Sequence, residues 1–148
     1  MNRQLQNELD SALKAVLGDM QQAVGQLAQV LEAERTALGE NNSEALDQAG
    51  TRKQALMLQL EQLDTERQQL GREHPAMAST LEPTWAGIVQ SLRRCQQLNQ
   101  RNGNAVNQRL NQVRQALAIL TGHSGESELY GRSGELHANL RSQVLAAA

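Results

Sequence analysis

From Leu5 to Leu120 the apolar residues of this chain mostly fall three, four or seven positions apart. That spacing puts the apolar residues on one stripe of a helix, so the chain must fold by laying stripes against one another. Phe is absent and Trp and Tyr occur once each, which leaves Leu, Ala and Val to make the core. Side chains of that size fill narrow helix seams rather than a broad core. A length of 148 residues fits one domain.

Breaks in the stripe divide the chain. The first helix, about 3–39, carries Leu5, Leu9, Leu13, Val16, Met20, Val24, Leu27, Leu31 and Leu38, with Gly39 as its stop. Within it, Gly18 and Gly25 either weaken the helix or admit a close neighbour. Asn41 and Glu44 resemble a capping box opening the second helix, about 42–70, which carries Leu46, Ala49, Leu56, Leu60, Leu63 and Leu70 and stops at Gly71. Lys53 and Arg67 share its stripe, where long basic side chains lie along the seam with their charges at the edge. A connector holding Pro75 follows, and Ser79 or Glu82 starts the third helix, about 80–121.

These elements predict an all-α, elongated, antiparallel three-helix bundle or coiled coil over residues 1–122. If the third helix starts level with the end of the second, it runs out of partner near Leu110. Leu110, Val113, Leu117 and Leu120 then project as an unpaired apolar stripe. Residues 123–148 read as a flexible tail, because Gly125, Gly131 and Gly134 with Ser124, Ser127 and Ser133 oppose helix formation. Within it, 135–147 repeats Leu136, Leu140 and Val144 as a short amphipathic segment that orders on docking.

Several function classes lose support. Fourteen basic and sixteen acidic side chains give a net charge of −2, without the basic, aromatic-interleaved surface of a nucleic-acid binder. Direct membrane insertion is not expected, because no apolar run approaches the roughly 20 residues a bilayer span needs. The lone Cys95 and the polar start of the chain point to the cytoplasm. No catalytic, cofactor or metal site is expected: His74, His123 and His137 lack ligand spacing and read as solvent-exposed, and Cys95 falls on the apolar stripe.

Two features invite a partner. Asn99, Asn102 and Gly103 interrupt a stripe that is apolar on both sides, either fixing helix alignment or meeting another chain's backbone. Trp85 reads as core. Tyr130, among glycines, reads as an interface anchor unless the tail is inert.

The run from Trp85 to Gly134 resembles the FlgN family of flagellar export chaperones. The resemblance lies in Cys95, Asn99-Gln100-Arg101-Asn102-Gly103, Leu117-Ala118-Ile119-Leu120-Thr121-Gly122 and Leu129-Tyr130-Gly131-Arg132-Ser133-Gly134. It implies a cytoplasmic type III export chaperone, not an enzyme, that binds the C-terminal amphipathic segments of hook-filament junction (hook-associated) proteins. It also implies delivery to the cytoplasmic domain of the export-gate protein FlhA, with Tyr130 as the docking residue. Exposure logic, rather than a family motif, puts the client on Leu110, Val113, Leu117, Leu120, Leu136, Leu140 and Val144. The alternative is a structural coiled-coil adaptor whose stripe pairs with a second copy as a homodimer.

Overall fold

A computed structural model describes residues 2–121, and within them the chain is an all-α bundle. Three long helices, α1 (Asn2–Glu40), α2 (Ser43–Glu73) and α4 (Glu82–Thr121), run up, down and up, and a short α3 (Pro75–Thr80) turns the corner between the last two. α1 packs along both α2 and α4, so it is the shared wall of the bundle. Its apolar stripe is accordingly the most deeply buried: Val16, Met20, Val24, Leu27 and Leu31 meet Leu56 and Leu60 from α2 and Ile88 and Cys95 from α4.

The α1–α2 corner is built by two consecutive asparagines with different tasks. Asn41 adopts a left-handed backbone, φ 55°. It lets the Asn42 amide bond Ala37 O at 2.9 Å and the Asn41 amide reach Leu38 O at 3.4 Å, closing the last turn of α1. Asn42 then caps α2, its Oδ1 accepting from the Ala45 amide at 3.1 Å. The expected capping box on Asn41 is therefore displaced by one residue, and Asn41 rather than Gly39 supplies the left-handed stop.

The second corner also differs from expectation. α2 continues through Gly71 to Glu73, because glycine without a left-handed backbone does not end a helix. The connector is itself helical, with Pro75 at the first position of α3, where its missing N–H is no loss. His74 closes α2 through its amide, which bonds Leu70 O. Its ring is not solvent-exposed: only 16% of the side chain is accessible, and Nδ1 stands 3.3 Å from Asp10 Oδ1. That contact has ion-pair distance but not hydrogen-bond geometry.

α1 and α4 run in the same direction at a steady offset. Cys95 Sγ lies 3.9 Å from Val24 O, and Asn102 Nδ2 bonds Leu31 O and Glu34 Oε1, so each contact joins α1 to a residue 68 to 71 positions ahead. At that offset Glu40 falls level with Leu110. The last eleven residues of α4 therefore extend about 16 Å past the end of α1, at 1.5 Å per residue.

Gly18 and Gly25 admit no neighbour: a Cβ on either meets nothing within 4 Å. Trp85 is half-buried against the core, with the Arg67 guanidinium 3.6 Å over its ring and Asp64 2.9 Å from Arg67 Nε. The arginine thus lies on the seam as expected, but its charge is spent on an aromatic face.

Urea unfolding checks these local accounts. Asn42→Ala is expected to cost about 1 kcal/mol through the lost cap. Gly18→Ala is expected to gain up to about 1 kcal/mol, because the added methyl has space and the helix gains propensity.

Candidate functional site

Three apolar ladders each carry a polar rung, and the fold brings these rungs to one level. Glu34 stands on α1 between Leu31 and Leu38, Lys53 on α2 between Ala49 and Leu56, and Asn99 and Asn102 on α4 between Cys95 and Val106. All are buried; Glu34 and Lys53 are each 1% exposed. Lys53 Nζ donates to Glu34 Oε2 at 2.9 Å and to Asn99 Oδ1 at 2.8 Å. The other Glu34 oxygen accepts from Asn102 Nδ2 at 2.9 Å, and the same amide group reaches Leu31 O at 3.0 Å. Both carboxylate oxygens and both amides are thus engaged inside the chain, and Gly103 lies buried beside them.

Lys53 corrects the expectation of a charge at the seam's edge. A lysine can lie along a seam and reach water only where the seam is open. Here Glu34 offers a closer partner than solvent, so the ammonium turns inward. Replacing one member strands a buried charge, which typically costs about 3–5 kcal/mol.

Beside the network, α2 and α4 face each other across a cavity of about 290 Å³, floored by Leu27 and Leu31 of α1. Met57, Val89 and Leu92 line it with Lys53 and Asn99, while Arg93 and Gln96 complete its lining from α4. Cys95 also lines it. Burial pushes the Cys95 thiol up, which keeps it protonated and a weak nucleophile near neutral pH.

The candidate partner residues separate along α4. Leu110 is half-buried against the cluster of Leu38 and Val106, on which Leu46 and Ala105 also pack, so it closes the bundle's end rather than projecting from it. Beyond it Val113 is 54% and Leu120 80% exposed, with Leu117 half-buried between them. Ile119 is the most exposed at 82%, but it lies about 160° around the helix from Leu117, off the stripe. Tyr130, Leu136, Leu140 and Val144 lie outside the described residues, as do His123 and His137. Among the described residues no helix is long and apolar enough to cross a membrane.

Among the described residues this is an all-helical bundle whose Glu34–Lys53 network pairs internally and whose last helix ends in exposed apolar side chains, the class of helical bundle protein. Residues 1–138 match the FlgN protein family, and the chain belongs to it. FlgN proteins are chaperones of flagellum assembly, which sets the general role of this chain. No curated protein matches it, and neither does any solved structure.

Lys53→Met is expected to lower stability by about 3–5 kcal/mol, and Lys53→Met combined with Glu34→Leu to recover most of that loss. Urea unfolding checks both. For Cys95, a thiol reagent at pH 8 is expected to react much more slowly with the folded chain than with the urea-unfolded one; equal rates would contradict the burial.

Proposed function

We propose that this chain is a cytoplasmic chaperone for hook-filament junction proteins. It holds their C-terminal amphipathic segments unassembled and brings them to the cytoplasmic domain of the export-gate protein FlhA. The observation that carries this reading is the length of α4. A helix that outruns its bundle and leaves Val113 and Leu120 exposed offers a seam to one more helix. Membership of a family of flagellar chaperones supports a flagellar protein as the owner of that helix.

The client seam is Val113, Leu117 and Leu120, rooted at Leu110 and continued by Leu136, Leu140 and Val144. A client segment destined for a coiled coil in the assembled filament exposes its own seam before assembly, and covering it prevents premature association. Tyr130 docks on the gate. In the empty chaperone residues 123–148 cover the seam, and client binding frees Tyr130, so the gate meets loaded chaperone first.

Tyr130→Ala is expected to leave affinity for a junction protein nearly unchanged and to abolish binding to the FlhA cytoplasmic domain, both measured by calorimetry. Equal losses on both would put Tyr130 in the client site instead. Hydrogen exchange across 123–148, with and without client, checks the release step; unchanged protection would rule it out. Sedimentation separates the reading from a self-pairing adaptor, which would be a tight dimer indifferent to junction proteins.

A further inference from the structure

The stripe of α4 is apolar from Ile88 through Leu92 and Cys95, polar at Asn99 and Asn102, and apolar again from Val106 to Leu120. An apolar ladder fits its neighbour at several offsets, because a helix moved along by one repeat meets side chains of similar size and polarity. The two asparagines are the exception, and the fold sets both against the ion pair of α1 and α2. Lys53 Nζ donates to Asn99 Oδ1 at 2.8 Å across 46 residues of chain, and Asn102 Nδ2 donates to Glu34 Oε1 at 2.9 Å across 68. All four side chains are between 1% and 6% exposed, so a partner moved out of reach is not replaced by bulk water. At the bundle's end the packing of α4 is apolar, Val106 with Leu38 and Leu110 against them. From Asn102 to Leu110 runs about 12 Å of continuous helix.

We propose that Glu34, Lys53, Asn99 and Asn102 are positioning residues for the client surface. They hold α4 at one offset, and so decide that Val113, Leu117 and Leu120, rather than a shorter or longer run, stand beyond the bundle. The proposal rests on reading that seam as the client surface and adds what sets its length. A slide of one helical turn moves α4 by about 5.4 Å and takes one stripe residue into the bundle or out of it. The apolar rungs are refilled by like residues, whereas the network loses hydrogen bonds to a buried charge. A network that only stabilised the fold would behave differently on apolar replacement. Buried ion pairs exchanged for well-packed apolar groups often leave stability equal or higher, while a polar residue removed from a helix seam frees its alignment.

The test uses the full chain with spin labels on K14C and Q112C, two exposed sites on α1 and α4, in a Cys95→Ala background. Pulsed electron resonance reads the distance between them, which lies mostly along the bundle axis and therefore tracks sliding. The intact network should give one narrow distance. E34L/K53M/N99L/N102L should unfold in urea at or above the midpoint of the intact chain, and its distance should be displaced or divided in steps of about 5 Å. N99L/N102L, which deprives the ion pair of its partners on α4, should also lose the single distance, and it decides the matter where circular dichroism finds the fourfold variant unfolded. Fluorescence anisotropy with a labelled C-terminal segment of a hook-filament junction protein reads the seam. A chain divided among three offsets should bind it about threefold more weakly, in proportion to the fraction still at the native one.

A single unchanged distance in the folded variants overturns the proposal, as does an unchanged affinity in a variant whose distance has changed. Loss of the fold in both variants makes the network a requirement of folding and also overturns it. If the distance changes but the junction segment does not bind even the intact chain, the offset assignment stands and the client reading falls.

Discussion

The ion pair between Glu34 and Lys53, with Asn99 and Asn102 completing its hydrogen bonds, sets the alignment on which the rest of the molecule depends. Leucine seams are tolerant of sliding, because one rung of a repeating ladder resembles the next. Polar rungs are not, since a one-turn shift of α4 would face Lys53 and Glu34 with apolar side chains and leave buried polar groups without partners. A buried ion pair adds little net stability over a well-packed apolar alternative. Its contribution here is to fix which rung meets which.

That alignment determines the exposed surface. With α4 held at its offset to α1, Leu110 is, among the described residues, the last stripe residue packed against the bundle core, and Val113 and Leu120 lie exposed. One turn the other way would draw Val113 over the α1–α2 corner and shorten the projection. The internal polar contacts and the external apolar seam are therefore linked through a rigid helix. The cavity between α2 and α4 shows the same division of labour, for α1 packs along both helices while they meet each other through long side chains, Lys53 with Asn99 and Arg67 with Trp85.

Much of this was readable from periodicity. The three long helices, their order and the exhaustion of partners near Leu110 all follow from ladder lengths and connector sizes. What escaped was chemistry that crosses between ladders. Glu34 occupies the vacant rung between Leu31 and Leu38, and Lys53 the rung between Ala49 and Leu56. Each taken alone looks like a break or a surface charge. Seen as opposite charges on the two sides of the Asn41–Asn42 corner, on helices that pack together, they are a pair. The corner was misplaced by one residue because Asn41, with Glu44 three residues on, fits the capping-box spacing that Asn42 lacks, and only the backbone angle of Asn41 distinguishes stop from cap.

The same contacts differ in how far they reach along the chain, and this gives the bundle an order of assembly. Glu34 and Lys53 are 19 residues apart, whereas Asn102 lies 68 from Glu34. Closing the shorter loop costs less chain entropy, so α1 and α2 meet first and α4 docks on the finished hairpin. Until it does, the ion pair is open to water on one side, and its charges remain partly hydrated. Arrival of the two asparagines replaces that water, which makes α4 the element whose departure the hairpin can best survive.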